Sequence, residues 1–113
     1  MVHVRRFAEL RRVGSKWFHG DTYLFAYDHQ CNVLFNAAAP QKEGSNVAGH
    51  EDKNGSKFHD ALVVVASTTP EKRGWVTYWW PRPGETQPSQ KWTYSQALSI
   101  DGVQAVLMSG FYV

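Results

Sequence analysis

The spacing of apolar residues changes several times along the chain, and each change marks an element. Val4, Phe7 and Ala8 recur at helical spacing until Gly14 stops the pattern, which predicts a short amphipathic helix over residues 4–12, packed as a lid on one edge. Tyr23-Leu24-Phe25-Ala26-Tyr27 then places all three rings at odd positions, hence on one face of a strand fed by the turn His19-Gly20-Asp21. Asp28 to Asn32 has turn composition and Val33-Leu34-Phe35 resumes extended character, so the two runs form a hairpin, with Asn32 the residue best suited to a positive φ. Between Asn36 and Gly55 the chain is polar and punctuated by Pro40, Gly44 and Gly49, a long connection of the kind that carries binding residues.

Phe58, Ala61, Leu62, Val65 and Ala66 share one helical face, although the three consecutive valines 63–65 would also suit a buried strand; helix is the reading adopted, ended by Pro70. Gly74 opens a strand to Trp80, Pro81, Pro83 and Gly84 make a turn, and Lys91 to Leu98 returns as its partner. Asp101-Gly102 signals another hairpin, leading into Val103 to Met108 and Phe111-Tyr112-Val113 as a last strand or pair of strands. Helix, hairpin, long loop, helix and meander add up to an α+β domain with an antiparallel sheet.

Length allows one domain spanning residues 1–113, with no separate output domain. A 42% hydrophobic and 14% aromatic composition is that of a folded globule. The formal charge of +2 is small, and Arg5, Arg6, Arg11 and Arg12 read as a solvated helix face rather than a nucleic-acid surface. Cys31 is the only cysteine, so no intramolecular disulfide can form. The longest apolar run, Ala61 to Ala66, is far too short to span a bilayer, and no signal peptide follows the first arginines; if Met1 is the true start, a cytoplasmic protein without membrane contact is expected.

Enzyme signatures are missing: no nucleophile elbow, no glycine-rich phosphate loop, no H-E-x-x-H, and His29 beside Cys31 reads as an exposed turn rather than a thiolate and its base. His50, Glu51, Asp52, His59 and Asp60 lack tight ligand spacing, so no metal is expected. The segment from Gly74 to Tyr94 is different. It holds four of the five tryptophans around a proline-rich turn, with Lys91 entering an aromatic strand. A lysine so placed either reaches solvent at a sheet edge or pairs with an anion, and a ligand carboxylate would serve. Lys91 and Tyr94 point to opposite faces of a regular strand and can share a pocket only across a bulge.

Taken in order, these residues resemble the single-Cache sensor domains of bacterial chemoreceptors and histidine kinases. Gly20-Asp21 with Tyr23 to Asp28 is similar to the G-D-x-Y-x-F-x-Y-D entry strand, and Pro40, Gly44 and Asn46 to P-x-x-x-G-x-N. Asp52 to Gly55 with Phe58 is similar to D-x-x-G-x-x-F, Gly74 to Pro81 to G-W-V-x-Y-x-W-P, Lys91 with Tyr94 to K-x-x-Y, and Gly110 to Val113 to the closing G-x-Y. The resemblance implies a PAS-like central antiparallel sheet of about five strands with an N-terminal helix and a second helix in the long connection. It also implies a non-enzymatic module for signal transduction that binds a small carboxylate, without a cofactor. The residues it brings forward for ligand binding are Tyr23, Phe25, Tyr78, Trp80, Lys91 and Tyr94, together with Asn36, which stands where the family usually has histidine. In this reading Lys91 pairs the anionic group, Tyr78 and Tyr94 donate hydroxyls, and Trp80 and Phe25 are apolar walls. Cys31 replaces the family's usual turn glycine, and family domains usually lie outside the membrane. The alternative is an interaction protein, a homodimer or adaptor, whose pocket is filled by Trp79, Trp80 and Trp92.

Overall fold

The computed structural model describes residue 12, residues 18–100 and residues 102–113. The expected N-terminal helix, with Arg5, Arg6 and Arg11, lies outside the described residues, as does Asp101 of the last turn. The chain forms β1 (Leu24–Asp28), β2 (Val33–Asn36), a 3-10 turn (Pro40–Lys42), α1 (Phe58–Thr68), β3 (Arg73–Pro81), β4 (Pro88–Ile100) and β5 (Val103–Tyr112). One antiparallel sheet of five strands results, in the order β2-β1-β5-β4-β3. The α+β antiparallel architecture is therefore as expected, and β5 is one strand rather than two.

Directly opposed residues of neighbouring strands point to the same face. Phe25 faces Met108 and Tyr27 faces Val106 across β1 and β5. Lys91 faces Tyr112, Thr93 faces Gly110 and Ser95 faces Met108 across β4 and β5. Tyr78 faces Lys91 and Val76 faces Thr93 across β3 and β4. These residues make one inner face, and α1 packs across it over β3 and β4. Phe58, His59, Leu62, Val63 and Ala66 are its buried residues, a stripe rotated from the expected one so that His59 and Val63 turn inward while Ala61 and Val65 stay half-buried.

Two glycines permit this packing. A Cβ on Gly74 would lie 2.5 Å from Cγ2 of Val65, so the helix seats on β3 only where no side chain intervenes. A Cβ on Gly110 would lie 2.6 Å from Thr93 Oγ1 and 3.0 Å from Lys91 Cε, so this position keeps open the space that the lysine stem occupies.

The β1–β2 turn departs from expectation. Cys31, not Asn32, takes the positive φ, at 65°. Asn32 is needed elsewhere: its amide donates to Asp28 Oδ2 while its own carbonyl oxygen accepts from Asn46 Nδ2, tying the turn to the long loop. Cys31 is also buried rather than exposed, with its thiol 3.8 Å from Asp60 Oδ1; burial and the neighbouring carboxylate push its pKa up to about 11, away from nucleophilic use.

The loop before α1 is fastened by Asp52. Its carboxylate accepts the backbone N–H groups of Asn54 and Ser56 and, across to the edge strand, that of Trp79. Burial pushes its pKa up, but the N–H donors of Trp79, Ser56 and Asn54 outweigh that and hold it below the usual carboxylate range. Lys53 completes the clamp, with Nζ 3.9 Å from the centre of the Trp79 ring.

Candidate ligand-binding site

Lys91 is 1% exposed, at the centre of the inner face. Alternation along β4 points it inward with Thr93 and Ser95, and continuous pairing on both sides leaves it no route to an edge. Its Nζ donates to the hydroxyl of Tyr23 at 2.9 Å. Four rings surround it: Tyr23 at 4.3 Å, Phe25 at 4.8 Å, Tyr112 at 5.2 Å and Tyr78 at 5.9 Å from their centres. No carboxylate pairs with it among the described residues. Cation–π contacts are worth up to about 2 kcal/mol each when desolvated, whereas removing an ammonium from water costs several. Burial wins, and lowers the pKa of Lys91 to about 7.

Above this cage lies a pocket of about 380 Å³, lined among others by Tyr23, Asn36, Lys42, Trp80, Pro81 and Arg82. Tyr23 is common to both: it lines the pocket and its hydroxyl holds Lys91. The hydroxyls of Tyr23 and Tyr112 are hydrogen-bonded, and Tyr112 donates to the Pro81 carbonyl at 2.8 Å, so a polar chain leads from the lysine to the pocket wall. Asn36 stands opposite Phe25 and so on the inner face. Its side-chain oxygen accepts the N–H groups of Ala38 and Ala39, which leaves the NH2 group as its free polar end. Trp80 is a wall, packed 5.2 Å from Phe58 and 5.9 Å from His59.

The remaining expected residues are placed differently. Phe25 and Tyr78 are buried beneath the pocket rather than lining it. The Tyr78 hydroxyl is held by Thr93 Oγ1 at 2.9 Å and its ring stacks on Phe58 at 4.0 Å, so its expected donation to a ligand is replaced by a supporting role. Tyr94 is on the opposite face: the pairing of β4 shows no bulge between Lys91 and Tyr94, so strand alternation separates them. There it meets Trp75 at 5.1 Å, and Trp75 meets Phe111 at 5.9 Å, in a shallow aromatic patch. Trp79 and Trp92 also belong to that outer side, since their neighbours Tyr78 and Lys91 point inward; they cannot fill the pocket.

Lys42 and Arg82 in the pocket lining, and Tyr112 and Gly110 beside Lys91, were not among the ligand-binding residues expected from the sequence. Tyr112 and Gly110 could have been found by registering the closing G-x-Y against Lys91 two by two; Lys42 and Arg82 lie in turns, where spacing carries no such signal. Of the His50 to Asp60 residues that the sequence reading weighed for a metal, Asp52 and Asp60 accept backbone N–H groups, His59 is hydrogen-bonded to Tyr27, and no group of three potential ligands converges among the described residues.

The family model described as a Cache domain matches residues 10–112. The chain is 26% identical, over 104 residues and 92% of its length, to the methyl-accepting chemotaxis protein McpP of Pseudomonas putida, and spans 18% of that protein. A solved periplasmic sensor domain of a chemotaxis protein is similar at a TM-score of 0.78 and 28% identity, over 98% of this chain and 74% of that one. A Cache chemosensory domain, solved as the structural basis for carboxylic acid recognition, is similar in fold at a TM-score of 0.79 and 24% identity, over 96% of this chain and 69% of that one. The fold also extends to the PAS domain of an HTR-like protein from Haloarcula marismortui, at a TM-score of 0.61 and 7% identity over 96% of this chain and 89% of that one. With a family match running almost from end to end, and a sheet shared with chemotaxis sensors and a PAS domain, this chain belongs to the Cache domain family.

Proposed function

We propose that this chain is a non-enzymatic sensor domain that binds a small organic carboxylate in the pocket over Tyr23. The observation that carries the reading is Lys91: a buried ammonium with one neutral hydrogen-bond acceptor and no anion is destabilising to the empty protein, and an arriving carboxylate supplies the missing charge. Because Lys91 donates to the Tyr23 oxygen, a carboxylate that displaces Tyr112 as acceptor of the Tyr23 proton would have the ammonium directly behind that hydroxyl. Asn36 would offer its NH2 group and Trp80 an apolar wall. A Cache chemosensory domain of the same fold recognises carboxylic acids, which agrees with this chemistry. The relative described as a periplasmic sensor domain supports an extracytoplasmic setting for this chain in place of the cytoplasmic one.

An acid–base enzyme is a poorer reading of the same residues. The Tyr78 hydroxyl and the His59 Nδ1 are each taken up by a neighbour, and neither faces the pocket. The filled-pocket alternative loses its basis with Trp79 and Trp92 on the outer side.

The test is thermal unfolding with a panel of short carboxylates. At a concentration of about 100 times Kd, a ligand adds about 2.7 kcal/mol, which raises Tm by on the order of 10 °C in a domain of this size. Lys91→Met should abolish the shift. No shift with any carboxylate in the wild-type protein would reject the reading.

A further inference from the structure

Another lysine, Lys42, stands in the lining of the same pocket. Lys42 ends the 3-10 turn Pro40–Lys42, and its backbone is pinned: its N–H donates to Ala39, and its carbonyl accepts from both N–H and hydroxyl of Ser45. The turn itself is anchored by Asn36, whose side chain accepts the two N–H groups that precede it. The ammonium lies 4.9 Å from the centre of the Trp80 ring, against the apolar wall, and forms no ion pair among the described residues. The other cation of the lining, Arg82, is already neutralised by Asp21 at 3.3 Å and also donates to the Val113 carbonyl at 3.1 Å. Glu85, on the lining too, is exposed and is not paired with Lys42.

Two lysines thus serve one cavity, Lys42 in its lining beside Trp80 and Lys91 behind Tyr23, another residue of the lining. A volume of about 380 Å³ exceeds what a two- or three-carbon acid fills, and Trp80 supplies an apolar surface in the same lining. Resting on the carboxylate reading above, we infer that the ligand is a short-chain dianion, one carboxylate directed at Tyr23 and Lys91 and a second anionic group at Lys42. Lys42 is then the residue that selects dianions over monocarboxylates of the same length. The Lys42 side chain is half-buried at the rim, so its removal leaves the core intact.

Calorimetric titration with succinate, glutarate and adipate, each beside its monomethyl ester, tests this on the wild-type, Lys42→Gln and Lys91→Met proteins. The expected result is that at least one diacid binds wild type at least about fivefold more tightly than its ester, and that Lys42→Gln removes this preference by weakening the diacid more than its ester. Equal affinity for every diacid and its ester, or an equal loss of both in Lys42→Gln, overturns the dianion inference and leaves the carboxylate reading standing. No binding by any acid or ester to wild type, with the fold verified by its melting transition, removes both.

Discussion

At the scale of single residues the molecule is dominated by one uncompensated charge. Lys91 has its pKa lowered to about 7 by burial, against 10.5 for the free side chain, so between these values the unfolded chain binds a proton that the folded chain does not. Stability contributed through this group therefore rises as pH is raised from 7 towards 10; above that the buried tyrosines Tyr23, Tyr27 and Tyr78, whose pKa values burial raises, reverse the trend. The ligand-free Lys91→Met protein is expected to melt higher than wild type at pH 6 and to lose the rise between pH 7 and 10, which a series of melts in matched buffers would read. A lower melting temperature for Lys91→Met at pH 6 would mean that the aromatic cage, not a ligand, satisfies the charge. Asp52 is the opposite case, a carboxylate fully used by the backbone. Asp52→Ala leaves three N–H groups without their acceptor, and a loss of about 1–3 kcal/mol in denaturant unfolding is expected, with Asp52→Asn in between.

At the scale of elements, the position of α1 over the sheet depends on an absence of side chain. Gly74→Ala drives a methyl group into Val65 and should cost about 1–3 kcal/mol, most of it recovered in the double variant Gly74→Ala/Val65→Ala. Strict additivity of the two substitutions would show that the contact does not set the helix position. The sheet contributes a further tie, since the Ser95 hydroxyl donates to the Leu62 carbonyl at 2.8 Å inside the helix. Strand β5 has the same dependence at Gly110, whose missing side chain leaves room for the Lys91 stem and lets Tyr112 stand opposite it. Helix and strands thereby hold Lys91 of β4, Tyr112 of β5 and Pro81 of β3 in fixed register around Tyr23.

At the scale of the whole molecule, the two faces of the sheet differ in chemistry. The inner side carries the cage, the pocket and α1; the outer side presents Trp75, Trp92 and Phe111, each partly open to solvent. Acid should weaken the inner side first. His59 is buried against Phe58 and Tyr27, and burial, with the charges of His50 and Lys42, lowers its pKa to about 4 while Asp60 works against this. The unfolded chain therefore binds a proton on this side chain at a higher pH than the folded one, and stability is lost as pH falls from about 6.5 through 4. Melting temperatures over that range should fall in wild type and stay flatter in His59→Phe; parallel curves would assign the acid sensitivity to other groups.

Several features were legible from residues alone because local physics dictates them. The odd-numbered rings of β1, the helical repeat after Phe58 and the turn at Gly102 follow from side-chain periodicity and backbone sterics, so hairpin, helix and meander could be placed within a few residues. The unusual chemistry of Lys91 was legible too, because a cation in an aromatic strand calls for a partner wherever that strand packs. Which partners it meets was not. Tyr94 is three residues from Lys91 yet on the other face, while Tyr112 and Tyr23, distant in sequence, touch its ammonium, because register between strands is set by the whole sheet and not by any one strand. Nor could spacing reveal that Cys31 rather than Asn32 would take the left-handed turn, since that choice depends on Asn46 reaching back from the long loop. Local periodicity determined the elements and placed a lysine in an aromatic strand; long-range packing alone decided that it would be buried in a cage of rings behind Tyr23, beside a pocket that a second lysine also lines.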